Sequence, residues 1–530
     1  MEESSRADAD AERDAARRAR RAVVSFERAL AENVKQRAKH YDDPSKFASS
    51  EIELDNEILA LGELATDGAS AREFAALGAT ASIVLALAHV NEDIVSDCLH
   101  VLRELTDVDD VNGENEGAEA IARALKTSGG YAALIDALLR FEDLQGAQRA
   151  STSDGVKAVN DVLGIVENLG EIAGTANDSA SGEAENEALE AFCTETRLLE
   201  WLLKRVDKRR EVDENKLYAS EILSIILQSS AKCRDMCVKR DGLETLLSAT
   251  SAYKKREPED DGEKELVENL FDALCAIVIR DENKAQFVEL EGIELMLMLL
   301  AGKYKEQGVN FVAVPALKCL DYVLSTNGAA CDRFIEAQGL KHVFAVFMGR
   351  NLKSWRKKLG DEGVLEQQIR STSVVYSLFK NVTSERLRDR LCAKFVEQDF
   401  VKCDRLIELW VEFANRVSSE QARLDNDDED TGVDLTEEEE YLQKLDAGLA
   451  TLEHLTMIFA QLWATNYAPI MRRLYVNASQ NSISLGDFRD IMRQHARHVG
   501  DAGGDAKRAV AVERILAALP YAPGERDDAS

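Results

Sequence analysis

The 530-residue chain has few of the residues that break helices or build enzymes. Proline occurs six times, and only Pro258, Pro315 and Pro469 lie between Lys46 and Leu519. Alternating β-branched stretches are nearly absent as well, so helix is expected throughout. No run reaches the roughly 18 apolar residues of a membrane span, and no secretory signal is read at the start. Nine cysteines are scattered mostly singly through apolar segments, among them Cys98, Cys193, Cys275, Cys319 and Cys392. That pattern fits buried free thiols in a reducing compartment rather than a disulfide framework. Cys233-x-x-x-Cys237 has helical spacing but no second pair to complete a zinc site, and His495-x-x-His498 has no nearby acid or cysteine at ligand spacing. The phosphate-cradling loop, the serine elbow and the paired-histidine metalloprotease motif are all missing. No catalytic, cofactor or metal residue can be nominated, and a binding protein is expected rather than an enzyme.

Positive charge is also scarce. Lys and Arg number 65 against 97 Asp and Glu, for a net charge of −32. A surface this acidic repels phosphate backbones, so direct nucleic-acid binding is not expected. Basic peptides, basic protein tails and cationic loops are the favoured partners.

What the chain does contain is a repeated pattern. Phe287, Gly292-Ile293, the run Leu295 to Leu300, a polar break and the segment Ala316 to Leu324 are followed by an equivalent series. That second copy is Phe334, Gly339-Leu340, the run Val343 to Met348, a break and Ser373 to Val382. The two glycines stand 47 residues apart. Phe74 with Gly78, Gly130-Tyr131 and Asp241-Gly242-Leu243 extend the series, with spacings of 52, 112, 50 and 47. The segment Phe192 to Val206 fills the widest gap. A helical period of roughly 40–47 residues is that of armadillo and HEAT arrays, in which each unit needs neighbours to cover its apolar faces. The expected fold is therefore all-α: an armadillo/HEAT-type right-handed superhelical solenoid with helical caps at both ends. Each glycine is expected at a tight interhelical turn, where it would take up positive φ. Trp201, Phe271 and Leu274, each inside an apolar helical run, are expected in the core.

Five segments follow. Residues 1–22 read as a disordered basic and acidic arm whose Arg17-Arg18-Ala19-Arg20-Arg21 cluster is a candidate import signal. Residues 23–70 form an amino-terminal helical cap, and 71–383 hold about six repeats. Residues 384–520 form a carboxy-terminal helical domain with an acidic loop at 418–438, and 521–530 a disordered tail. The span Asp425 to Glu440 carries ten acids and no base, and self-repulsion should keep its first part from folding. Its end, Thr436 to Glu439, has capping-box spacing before a long apolar helix from Tyr441 to about Leu462. Helices to Val499 and from Ala506 to Leu519 follow. The Ser- and Gly-rich stretch from Gly174 to Glu187 is expected to be a mobile loop.

In armadillo arrays the last helix of each repeat lines the concave face. With those helices superposed on their apolar frames, Glu104, Asn168, Gln228 and Asn381 fall at one position. Asp107, Glu167, Glu221, Glu268 and Asp321 lie nearby. Amides can donate to and accept from a peptide backbone, and carboxylates suit Lys and Arg. These nine residues are the expected partner-binding groove.

Several strings then resemble one family, the beta-catenin-like protein 1 family of nuclear armadillo proteins. They include Leu102-x-Glu104-Leu105-Thr106-Asp107, Ile165-Val166-Glu167-Asn168, Trp201-Leu202-Leu203-Lys204-Arg205 and Asn215-Lys216-Leu217-Tyr218. Glu268-Asn269-Leu270-Phe271-Asp272 and Glu438-Glu439-Glu440-Tyr441-Leu442-x-x-Leu445-Asp446-Ala447-Gly448-Leu449 are similar too, and the likeness runs from about Val23 to Leu519. It implies a nuclear splicing scaffold whose partners are spliceosome proteins with basic, localisation-signal-like segments, including the Myb-like subunit of the activation complex. A homodimer stays open. The alternative is an importin-alpha-like transport adaptor, but that family's tryptophan–asparagine ladder is missing: Trp201, Trp355, Trp410 and Trp463 are followed four residues on by Arg205, Leu359, Ala414 and Tyr467.

Overall fold

The structure, a computed structural model, describes residues 2–66, 68–108, 115–146, 153–175, 186–301, 310–350, 352–431 and 436–501. Among these residues there are helices and no strands. They fall into two compact units, residues 1–250 with 258–277 and residues 251–257 with 278–530.

The first unit opens with α1 (Glu2–Lys39) and α2 (Ala48–Leu61), separated by a 3-10 turn at Pro44–Lys46. Triplets follow. The first is α3 (Gly68–Ala76), α4 (Ala79–Ala86) and α5 (Glu92–Thr106); the second is α6 (Glu116–Thr127), α7 (Gly130–Gly146) and α8 (Ser153–Thr175). The third is α9 (Glu187–Glu195), α10 (Leu198–Val206) and α11 (Glu214–Ser229), and then come α12 (Ala231–Lys239), α13 (Gly242–Thr250) and α14 (Asp261–Val278). Side-chain caps set several starts: Asn91, Asn186, Asp213 and Ser230 each accept a backbone N–H of the following turn. The third helices are heavily apolar. In α8, Val159, Val162, Leu163, Ile165, Val166 and Leu169 are all buried, so this helix is enclosed by its neighbours rather than lying on the outside. Trp201, Phe271 and Leu274 are buried as expected.

The second unit continues with α15 (Asp281–Glu289), α16 (Gly292–Ala301) and α17 (Ala313–Leu324), then α18 (Gly328–Glu336), α19 (Leu340–Phe347) and α20 (Leu352–Asn381). The last is two helices meeting at Gly360, whose φ of 72° interrupts it. Beyond lie α21 (Glu385–Val396), α22 (Val401–Thr431), α23 (Glu437–Asp446), α24 (Leu449–Ala464), α25 (Ala468–Gln480) and α26 (Leu485–Asp501). Phe459 and Phe488 stack with centroids 3.9 Å apart, and Trp410 packs on Phe488 while its indole N–H donates to Thr456 Oγ1 at 2.8 Å.

Four expectations change. The arm is not separate, because α1 is continuous from Glu2, with Ala15 and Ala19 buried and Arg20 paired with Glu73 at 2.8 Å. The arginine cluster thus sits on a packed helix. The acidic stretch is helical as far as Thr431, within α22; once a long helix is under way, each further residue adds a hydrogen bond. The capping box at Thr436 and Glu439 is present, but the apolar helix after Tyr441 is broken at Gly448, whose φ is 109°. The glycines of the repeats do lie at interhelical turns, yet only Gly78 has positive φ. At the other four turns the residue before the repeat glycine takes it: Gly129, Asp241, Glu291 and Gln338. Gly242, Gly292 and Gly339 are glycines for lack of room. A Cβ there would lie 2.2 Å from Cys237 Sγ, 2.5 Å from the Phe287 ring and 2.6 Å from the Phe334 ring. Each obstructing side chain is five residues upstream, on the preceding helix, so the aromatic-then-glycine pattern records a close approach of two helices. The segments 176–185 and 502–530, with the expected mobile loop and last helix, lie outside the described residues.

Candidate partner-binding face

The third helices bring some of the nine expected residues together and turn others away. In the first unit, Glu167 of α8 accepts a hydrogen bond from the Tyr218 hydroxyl of α11. Burial and the Glu167 carboxylate push the Tyr218 hydroxyl well above the usual phenol range. Half-buried Glu221, also on α11, has its pKa raised, first by burial and then by the negative charges of Glu167 and Glu265. Carboxylates from α8, α11 and α14 therefore stand close enough to repel one another. Glu265 and Glu268 are exposed on α14, and Asn269 Nδ2 donates to Ser220 Oγ at 3.2 Å, tying α14 to α11. A partial row of negative charge across three successive helices is the geometry that attracts a cationic segment.

Glu104 belongs to a different group. It is exposed and lies 3.3 Å from His100 Nε2, and its carboxylate rests against Gly62. The other ring nitrogen of His100 is 3.8 Å from buried Asp161, which Arg103 also meets at 3.2 Å. Asp107 is exposed and ends α5 as its extended C-cap. Gln228 is exposed, with Nε2 donating to Ser224 Oγ at 2.8 Å.

Asn168 and Asn381 are not groove donors. Both amide protons of Asn168 point to the preceding repeat, to Arg103 O at 3.0 Å and Thr106 Oγ1 at 3.2 Å. Asn381 does the same in the second unit, donating to Leu324 O at 2.9 Å and Ser325 O at 2.8 Å. Asn381 thus satisfies two carbonyls at the end of the previous third helix, and Asn168 a carbonyl and a hydroxyl. Asp321 is also turned inward: burial raises its pKa to about 6, offset in part by a hydrogen bond with Ser373 and attraction to Arg370 of α20. It joins α17 to α20 and does not offer an outward charge.

Tyr218 and Glu265 were not among the expected residues. Tyr218 carries a signal that could have found it, a lone aromatic hydroxyl three residues before Glu221. Glu265 is visible only as another acid in an acid-rich segment.

A family model described as catenin-beta-like, Arm-motif containing nuclear, matches residues 1–493. The chain belongs to this family. Beta-catenin-like protein 1 of Homo sapiens is 31% identical over 508 residues, covering 94% of this chain and 84% of the relative. The Schizosaccharomyces pombe homolog is 28% identical over 487 residues, covering 90% and 78%. Among solved structures, a designed armadillo repeat protein aligns with 56% of this chain and 99% of its own at 14% identity and a TM-score of 0.37. A chain from a structure concerning the interaction between cadherin and beta-catenin aligns over 94% and 97%, also at 14% identity, with a TM-score of 0.41. The catenin-beta-like chain is thus an Arm-motif helical solenoid from a family described as nuclear. None of its described helices is long and apolar enough to cross a membrane, and no cluster of three or more metal-type ligands occurs among the described residues.

Proposed function

We propose that the protein is a non-enzymatic nuclear scaffold in pre-mRNA splicing that binds basic, localisation-signal-like segments of spliceosome proteins. The Myb-like subunit of the activation complex is one such partner. The observation that carries the reading is the carboxylate row of Glu167, Glu221 and Glu265, in which burial first, and then its two negative neighbours, raise the pKa of Glu221. A lysine- or arginine-rich strand laid across α8, α11 and α14 would relieve that repulsion and form charge-assisted hydrogen bonds. Membership of a nuclear Arm-motif family and the net charge of −32 support the same reading.

Calorimetry with a short lysine- and arginine-rich peptide tests it. Reversing Glu167→Lys with Glu221→Lys should weaken binding roughly tenfold, since a pair near the surface contributes only ~0.2–1 kcal/mol and reversal adds repulsion. Unchanged affinity in the folded double variant would remove this face as the binding site. Affinity pulldown from nuclear extract tests the splicing role: splicing subunits are the expected catch, and transport receptors in their place would contradict it.

A further inference from the structure

Within this acidic chain one concave site has the opposite sign. A cavity of about 490 Å3 lies between the end of α10, the loop after it and the turn from α12 to α13. Its charged lining is Lys204, Arg209, Arg210 and Arg240 against Glu200 and Asp207, with Leu203 and Thr245 beside them. Both acids are already engaged. Glu200 lies between Arg197 at 3.2 Å and Arg240 at 3.4 Å, and Asp207 accepts Arg209 Nε at 2.9 Å and Nη2 at 2.8 Å. Lys204 is exposed and has no ion-pair partner among the described residues.

The loop that presents these cations has a fixed support. Lys216 is buried beneath it and donates from Nζ to Asp207 O at 3.0 Å and Arg210 O at 2.9 Å. Buried Arg205 pairs with Asp213 at the loop's far end. Burying two cations is costly unless they are well bonded; here Lys216 holds the carbonyls of Asp207 and Arg210, and Arg205 holds the Asp213 carboxylate where the loop ends. The cavity is thus preorganised and electropositive, with Leu203 as its apolar lining.

We propose that it docks an acidic segment of a partner protein through a phosphorylated serine or threonine. Guanidinium and ammonium groups converging on one cavity match the three acceptor oxygens and near-double charge of a phosphoryl group. Clustered arginines are a recurrent solution for such motifs. A nucleic acid fits less well. The cations occupy one confined patch instead of a continuous track, Glu211, Glu214 and Glu244 lie nearby in the chain, and no aromatic ring lines the cavity for base stacking.

Fluorescence anisotropy with the full chain decides the matter. The probes are a short fluorescein-labelled peptide with one phosphoserine among aspartates, the same peptide with unmodified serine, and an oligouridylate. The phosphopeptide should bind, and the serine form should bind roughly tenfold more weakly, a difference of about 1.4 kcal/mol. Lys204→Glu with Arg209→Glu, both exposed positions, should lower phosphopeptide affinity at least as much while melting temperature and basic-peptide binding stay unchanged. The Glu167→Lys, Glu221→Lys protein should keep phosphopeptide binding, so failure here is separable from failure of the acidic face. No phosphopeptide binding, equal binding of the serine form, insensitivity to the double reversal, or tighter binding of oligouridylate would each overturn the assignment.

Discussion

Two glycines at equivalent turns are required for different reasons, and substitution separates them. At Gly78 the backbone φ is 79° and no atom lies within 4 Å of an added Cβ, so Gly78→Ala meets only conformational strain. That strain is roughly 1–2 kcal/mol. At Gly292 the Cβ would enter the buried Phe287 ring at 2.5 Å. Overpacking of this kind costs ~1–3 kcal/mol, and occasionally more. The distinguishing measurement is a double-mutant cycle read by denaturant unfolding. Phe287→Leu should reduce the penalty of Gly292→Ala, giving a coupling of at least ~0.5 kcal/mol, whereas no change at Phe287 should affect Gly78→Ala. The repeat was legible in the sequence from these residues, because an aromatic four or five positions before a glycine is a strong local pattern. Its physical cause was not legible. Positive φ and steric contact both select glycine, and only the folded backbone shows that Asp241, Glu291 and Gln338 take the left-handed position.

At the scale of the element, a third helix has to satisfy the end of the helix before it as well as face outward. Asn168→Ala should remove both donors to the end of α5 and leave Arg103 O without its amide partner. The expected loss is roughly 1–3 kcal/mol of stability with no change in basic-peptide affinity; reduced affinity at full stability would return Asn168 to the groove. The helical frame placed Glu104, Asn168, Gln228 and Asn381 in register, but an asparagine that binds a peptide and one that caps a neighbouring helix look alike in one dimension. The direction of such a side chain depends on how two repeats stack. The same stacking brings Asp97 of α5 against Asp55 of α2, residues with no shared motif. Burial, a hydrogen bond to Asp55 and its charge push Asp97 up to about 7, while Lys157 acts against the shift and Asp93 adds slightly to it. The folded state therefore holds a proton that the unfolded chain releases near pH 4. This contribution is full below pH 4 and fades as pH rises through about 7. Asp97→Asn should accordingly raise the melting temperature at pH 8, on the order of 2 °C for a chain of this size, and have little effect at pH 4.5. A shift of equal size at both pH values would show that the pair is not the cause.

For the whole molecule, the net charge of −32 acts on folding and on binding with opposite dependence on salt. Like charges such as Glu167, Glu221 and Glu265 oppose the compact state, and salt screens them with a length of about 10 Å at 0.1 M. Raising ionic strength from about 10 to 150 mM should therefore raise the melting temperature of the free protein. A basic peptide on the acidic face supplies the missing positive charge itself, so its affinity should fall over the same range. The two trends should cross: peptide should stabilise strongly at low salt and weakly at high salt, by the mass-action relation between ligand excess and stability. Thermal melts with and without a lysine- and arginine-rich peptide, taken across a salt series, measure both at once. Glu265→Lys, at the exposed end of the row, should raise the melting temperature of the free protein at low salt and reduce the stabilisation by peptide. If the reversal instead lowers stability at low salt, the carboxylates are neutralised within the fold, and the attraction for basic segments must come from another surface.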